Sequence, residues 1–336
     1  MDRRTFLIAS ALAAAGFRTS RIATAAVHKP FAPSPADGWR MFEVTTRVEP
    51  NAKHGAPQVW LPLPSVENDT WIKPMGNHWQ GNAASVQELR DPVYGARILA
   101  ARWNSIEPAP VLEVVSRFAT RDRAIDLRKT ALEITRGART DLDKARAIYE
   151  WVVVNTQRNT KTRGCGLGDI RFMLETGDLS GKCADLNALY VGLARAVDLP
   201  ARDVYGVRVA DSHFGHKCLG KSGDISKAQH CRAEVWLEGF GWVPVDPADV
   251  RKVVLEEGHG LTLQDKLVSA VRRKLFGTWE MNWLAYNFAH DLKLPGSIGA
   301  PIPYLMYPQG ENATGRFDSL DPSTFIYKLS SKEITA

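Results

Sequence analysis

The sequence predicts an α+β protein, and three observations carry that prediction. Residues 39–120 hold short runs rich in β-branched and aromatic side chains, separated by turn residues, which is the pattern of an antiparallel β domain. From about residue 121 the apolar positions fall at steps of three and four, the period of helices. After residue 200 alternation returns, in three further strands.

The composition agrees with a folded chain. Its 336 residues are 44% hydrophobic, 24% charged and 9% aromatic, close to the globular average, which excludes a disordered, collagen-like or low-complexity scaffold. The length suits about two domains. Four cysteines in such a chain do not make a disulfide framework.

The N-terminus reads as an export signal. Arg3-Arg4 precede an apolar run from Phe6 to Phe17, 12 residues long, whereas a bilayer span needs about 20. A cationic start, a short apolar stretch and the small residues Ala23-Thr24-Ala25 predict a signal peptide over 1–25. The paired arginines resemble the twin-arginine type, and imply a periplasmic or secreted protein of bacterial origin. Cleavage after Ala25 removes four arginines and one aspartate and takes the formal charge from +6 to +3. So small a charge implies no nucleic-acid partner, and no stable membrane insertion is expected once the signal is gone.

Residues 26–38, rich in Pro and Ala, read as a linker. In the β domain, Phe42, Val44 and Thr46 alternate with polar neighbours, Val59-Trp60-Leu61 is ended by Pro62, and Ile98–Trp103 and Val111–Phe118 follow. Trp60, Trp71, Trp79 and Trp103 are expected to pack its core. Residues 121–255 form the next unit. Thr140 and Asp143 make a capping box for a helix carrying Leu142, Ala145, Ile148, Tyr149, Val152 and Val153 on one side. A Gly-rich connection, 163–168, leads to a second helix that opens at Cys183 and is stopped by Pro200. Strands follow at 202–209, 231–237 and 242–245, the last two joined by the hairpin loop Glu238-Gly239-Phe240-Gly241. Residues 256–336 are expected as an extension packed on this core, with a helix near Trp279–His290 and a late strand at Phe325–Leu329.

Cys183, His230 and Asp246 stand out as a set. A cysteine at the start of a helix meets unpaired N–H groups and the positive end of the dipole, which favour the nucleophilic thiolate. Gly181, just before it, leaves room for a substrate to approach the backbone. In the hairpin, odd positions 231–237, 243 and 245 are apolar or small; if these faces match, His230 and Asp246 share the other face as direct or diagonal neighbours. An aspartate beside a histidine fixes its tautomer and stabilises the imidazolium, while the histidine takes the thiol proton.

Gly181-Lys182-Cys183-Ala184-Asp185, Leu199-Pro200-Ala201-Arg202, His230 through Glu234-Val235-Trp236, and Gly241-Trp242-Val243-Pro244-Val245-Asp246-Pro247 together resemble the transglutaminase-like superfamily, over about residues 141–250. The resemblance implies a papain-like core, a helix bearing the cysteine packed on an antiparallel sheet, with Cys183 as nucleophile, His230 as general base and acid, and Asp246 as the orienting carboxylate. Two positions depart from the pattern: Arg232 stands where many members have an aromatic residue, and Asp198 where many have glycine.

The chemistry implied is acyl transfer at peptide or carboxamide bonds through a Cys183 thioester, with hydrolysis favoured, so that the enzyme resembles a cysteine peptidase or amidase. Its substrate is a peptide, a protein or a cell-wall peptide. The backbone N–H of Cys183 is the expected oxyanion donor, with Trp151, Asn155 or Gln157 as candidates for a second. Protein-glutamine cross-linking is the alternative, and a non-catalytic periplasmic binding or assembly module on the same fold is the alternative of another class. No cofactor or metal is expected, and no EF-hand loop is visible. His213, His216 and Cys218 form a His-x-x-His-x-Cys cluster whose spacing fits none of the common zinc patterns. Cys165 and Cys218 are either a disulfide pair or free thiols.

Overall fold

The computed structural model describes residues 38–51, 55–104, 107–124 and 140–334; the expected signal segment and nearly all of the linker lie outside them. Six strands of three residues or more open the fold: β1 (Arg40–Pro50), β2 (Gln58–Leu63), β3 (Ile72–Gly81), β4 (Ser85–Arg90), β5 (Arg97–Arg102) and β6 (Leu112–Thr120). Helices α1 (Asp141–Asn155), α2 (Ile170–Thr176) and α3 (Cys183–Arg195) follow, then β7 (Ala201–Arg208), β8 (Gln229–Leu237) and β9 (Gly241–Val245). The remainder comprises α4 (Pro247–Glu256), α5 (Lys266–Lys274), β10 (Trp283–Asn287), β11 (His290–Leu292), β12 (Ile302–Tyr304), β13 (Gln309–Asn312) and β14 (Phe325–Ile334).

Three antiparallel sheets organise these elements. One runs β14-β1-β6-β3, with the pair Gly223–Asp224 on the outer edge of β14; a second runs β13-β2-β5-β4, with Gly315–Arg316 outside β13; the third runs β9-β8-β7-β10. The first sheet buries a single face and shares it between two partners. Val48, Leu112, Val114 and Phe325 pack on Val59, Leu61 and Leu99 of the second sheet. Farther along the same face, Phe42, Val44, Phe118 and Leu329 join Val204, Val207 and Trp283 of the third. Helices α1, α3 and α4 cover that third sheet through Tyr149, Leu189, Tyr190 and Val250, packed on Ala233, Val235, Val243 and Val245.

Residues 256–336 therefore do more than pack on the core. β14 pairs with β1 along ten residues, and β13 pairs with β2, so the late segment completes both N-terminal sheets. Two further expectations change. The helix anticipated near Trp279–His290 is strand: all five residues of β10 are buried, and a strand buried on both faces shows a continuous apolar run that period alone cannot tell from helix. Pro62 does not end β2 but lies within it, opposite Ile98. β13 reaches only Gln58–Trp60, so the second edge of β2 has no ladder partner at Pro62, where a missing N–H is tolerated.

The capping box forms as expected, with the Thr140 hydroxyl accepting from the Asp143 N–H at 3.2 Å. Trp60, Trp71 and Trp103 are buried, while Trp79 is 39% exposed. Asp198 adopts φ +66° just past α3, in the left-handed region that glycine enters most easily. Among the described residues no helix is long and apolar enough to cross a membrane.

Phe325 is 1% exposed and binds β14 to the opposing sheet. Phe325→Ala is expected to lower stability by about 3–5 kcal/mol, measured by urea denaturation; a loss under about 1 kcal/mol would mean that β14 is dispensable to the sandwich.

Candidate active site

The start of α3 is held by the carboxylate of Asp185, three residues after the N-cap Lys182. Asp185 accepts N–H groups from Lys182 at 2.9 Å, Gly168 at 2.9 Å and Leu167 at 3.0 Å. It thereby ties the Gly-rich connection to the turn before Cys183. That approach, rather than substrate access, explains Gly181: a Cβ there would lie 2.5 Å from an Asp185 oxygen, and one on Gly166 1.9 Å. The Ala184 N–H donates to the Cys165 carbonyl at 2.9 Å, which brings the Cys165 thiol beside Cys183. As the first helical residue, Cys183 has an N–H with no intrahelical acceptor.

The hairpin pairs Ala233 with Val245, Val235 with Val243 and Leu237 with Gly241, so the apolar faces match. Continuing that register puts Asp246 opposite Arg232 and one diagonal step from His230. The His230 Nε2 lies 2.7 Å from Asp246 Oδ2, which leaves Nδ1 for the contact with Cys183. Asp246 also caps α4, its Oδ1 accepting the Asp249 N–H at 3.1 Å. The turn-capping and histidine-orienting roles of this residue thus coexist, one on each oxygen.

Asp249, which the sequence reading missed, is a second buried carboxylate. Its Oδ2 is 3.4 Å from His230 Nε2, and its Oδ1 is 2.6 Å from Arg208. The only signal for it in the sequence is its place three residues after Asp246, at the third position of a helix. His230, Asp246 and Asp249 offer ligand atoms within 4.8 Å of one another, close enough for a cation, but Arg208 and Arg232 already face these carboxylates.

These contacts set the charge states. Hydrogen bonds from the Cys165 and Cys231 thiols hold Cys183 well below its ordinary 9.0 against burial, and His230 acts in the same direction. Burial and Arg208 disfavour the imidazolium, yet Asp249 and Asp246 leave His230 raised above its ordinary 6.5. Burial would raise Asp249, but Arg208, followed by His230, holds it far below the carboxylate range. Asp246 is pushed up by burial and by the neighbouring Asp249. Both shifts act in the direction of a thiolate–imidazolium pair.

Cys183 and His230 line a cleft of about 530 Å³. Its walls come from the Gly-rich connection, from residues 220–221 and 226–230, and from Tyr307, Phe325, Ile326 and Tyr327. The segment between β7 and β8 thus builds one wall.

A profile of the transglutaminase-like superfamily matches residues 128–247. An uncharacterized protein of Haemophilus influenzae is 34% identical over 333 residues, covering 85% of this chain and 89% of that protein. The chain belongs to the transglutaminase-like superfamily. Among solved structures, a candidate cysteine protease from Cytophaga hutchinsonii is similar at 15% identity and TM-score 0.43, over 88% of this chain and 98% of that one. The periplasmic domain of TgpA from Pseudomonas aeruginosa is similar at 16% identity and TM-score 0.29, over 66% and 91%.

Where this chain departs from the transglutaminase-like pattern, the structure gives reasons. Arg232 does not line the cleft. It is 2% exposed, lies 4.7 Å from the Trp283 ring centroid, donates to the Glu280 carbonyl at 3.0 Å and stands 3.6 Å from Asp246. Burial pushes its pKa down to about 10, so it remains a cation at neutral pH. Asp198 occupies the left-handed position described above, which is a reason for glycine there in other members.

Trp151, Asn155 and Gln157 do not line the cleft, and the Asn155 amide donates instead to the Trp151 carbonyl at 2.9 Å. His213 lies 2.9 Å from Arg40, whereas Cys218 sits against Glu257; among the described residues they form no metal-ligand group with His216. Cys165 and Cys218 are both free, the first beside Cys183 and the second at Glu257.

Cys183 is expected to react with iodoacetamide well below pH 9, its rate falling only as pH drops through its lowered pKa. Cys218, whose pKa burial pushes up, is expected to react far more slowly at pH 7. Peptide mapping by mass spectrometry compares the two, and equal, slow alkylation would contradict the thiolate assignment.

Proposed function

We propose that the protein is a thiol enzyme that transfers acyl groups from peptide or carboxamide bonds through a Cys183 thioester, ordinarily to water. The observation that supports this reading is the placement of His230 between Asp246 and Cys183, with Cys183 at a helix start facing the cleft. In this mechanism the Cys183 thiolate attacks the carbonyl carbon, and the oxyanion accepts the free Cys183 N–H. The tetrahedral adduct collapses, the C–N bond breaks, and the His230 imidazolium gives its proton to the departing amine. His230, now neutral, takes a proton from water, whose oxygen attacks the thioester; the C–S bond breaks, releasing the acid and restoring the Cys183 thiolate beside the His230 imidazolium. Asp246 keeps Nε2 protonated throughout. Hydrolysis is favoured because nothing on the cleft walls marks a separate amine site. The arginine pair and apolar run before Ala25 support export, to the periplasm or beyond it.

The mature protein is to be incubated with a mixed peptide pool and a labelled primary amine, and the products read by mass spectrometry. Cys183→Ala is expected to lower turnover at least about 10³-fold with an unchanged thermal melt; undiminished turnover would refute the assignment. Unlabelled acids or shortened peptides mean hydrolysis, whereas label on glutamine side chains means cross-linking.

The pH dependence of kcat/KM adds a separate check. Activity requires the thiolate and the imidazolium together. The acid limb is therefore expected below 9.0 and the alkaline limb above 6.5, since Cys183 is lowered and His230 raised. Asp246→Asn, which removes negative charge from Nε2, is expected to draw the alkaline limb to lower pH. An unmoved limb would argue that Asp246 serves only to cap α4.

A further inference from the structure

We propose that the cleft over Cys183 selects an acidic acyl donor, a peptide with side-chain or terminal carboxylates close to the reacting carbonyl. This rests on the acyl-transfer reading above and adds the class of substrate to it. Apart from the Cys183–His230 pair, whose charges cancel, none of the residues lining the cleft is acidic, whereas seven are cationic. Four of these have carboxylate partners that lie outside the lining. Glu256 pairs with Arg158 and with Lys252, Asp318 with Arg163, and Asp249 with Arg208. Among the described residues, Lys182, Lys221 and Lys227 have no ion pair, and Lys221 and Lys227 are exposed. Seven cations thus line the cleft; three carboxylates pair with four of them, and Asp224 is a further acidic neighbour of Lys221.

Such an excess is not a property of the whole molecule, whose sequence after the expected cleavage carries a formal charge of only +3. Low-dielectric walls concentrate the field of these charges in the cleft. Burial, with Arg208 next in weight, holds the Lys252 ammonium below its usual range, and an anion in the cleft would relieve that crowding. The unpaired lysines also flank the point of attack: Lys182 immediately precedes Cys183, and Lys221 and Lys227 come from the wall that ends in His230. Tyr307, Leu320, Phe325 and Ile326 supply apolar surface in the same cleft. Carboxylate-bearing side chains beside apolar ones, on an extended chain, match that lining.

The test uses the full mature chain carrying Cys183→Ala, two fluorescent peptides that differ only by Glu or Gln at the positions flanking one scissile bond, and anisotropy titrations at low and high salt. The Glu peptide is expected to bind at least about tenfold more tightly at low salt, with the difference shrinking as salt screens it. Lys221→Gln with Lys227→Gln is expected to bring the two affinities together. Lys217→Gln, an exposed neighbour outside the lining, is expected to leave the preference intact. Equal affinity for the two peptides, or a preference that the double substitution does not move, overturns the proposal. If the Glu peptide is preferred but the unsubstituted protein makes no Cys183-dependent product from it, the cleft is an anion site and the acyl-transfer reading is what fails.

Discussion

The carboxylate of Asp246, fully buried, divides its two oxygens between a helix and a histidine. One caps α4 and faces the Asn187 amide of α3 at 3.4 Å; the other holds His230 on β8. Three elements are thereby indexed to one side chain. Burying a charge costs several kcal/mol unless it is paired, and removing one partner of such a pair costs about 3–5 kcal/mol. Much of the neighbouring structure meets that requirement. Arg232 lies between the Trp283 ring and Asp246, Arg208 reaches Asp249, and the Trp283 and Trp279 indoles donate to the carbonyls of His230 at 2.9 Å and Val245 at 3.1 Å. The two strands that carry the histidine and the aspartate are pinned beside the groups they position.

Asp185 plays the matching part on the cysteine side. Its carboxylate collects three backbone N–H groups, and two glycines are required for it to come so close. The position of Cys183 is therefore set by backbone groups of the turn before it and of the Gly-rich connection, while that of His230 is set by contacts to α4 and β10. The two halves meet at the buried thiols: Cys165 from the Gly-rich connection, whose Sγ donates to the Gln229 carbonyl at 3.3 Å, and Cys231 from β8 both lower the pKa of Cys183. Cys183 is 95% removed from solvent, yet its thiol and imidazole neighbours together lower its pKa.

How much of this was legible follows from the range of each interaction. Helix α1 and the hairpin β8–β9 could be read because a capping box and an alternating pattern are local. The alternation also put His230 and Asp246 on one face, and the register bears this out. β3 and β4 could not be read: most of their side chains are exposed, so no apolar pattern marks them and only ladder pairing defines them. β10 was mistaken for helix because Trp283, Leu284, Ala285 and Tyr286 are buried on both faces. Asp249 and Arg208 were missed since their meaning lies in a contact 41 residues apart in sequence. The Gly181 reading named the right residue for the wrong reason, as only the folded chain brings Asp185 over it.

The pairing of β14 with β1 bears on how the protein is made. Roughly 275 residues separate the end of β1 at Pro50 from the start of β14 at Phe325. At about 5–20 residues per second, a ribosome takes on the order of 15–55 s to cross that interval. For all of it, one edge of β1 has no partner, an open template of the kind that recruits other chains. The cleft is incomplete for as long, because Phe325, Ile326 and Tyr327 form part of its wall. A nascent chain thus carries Cys183 long before the wall that faces it, and the cleft is assembled only once synthesis has passed the final strand.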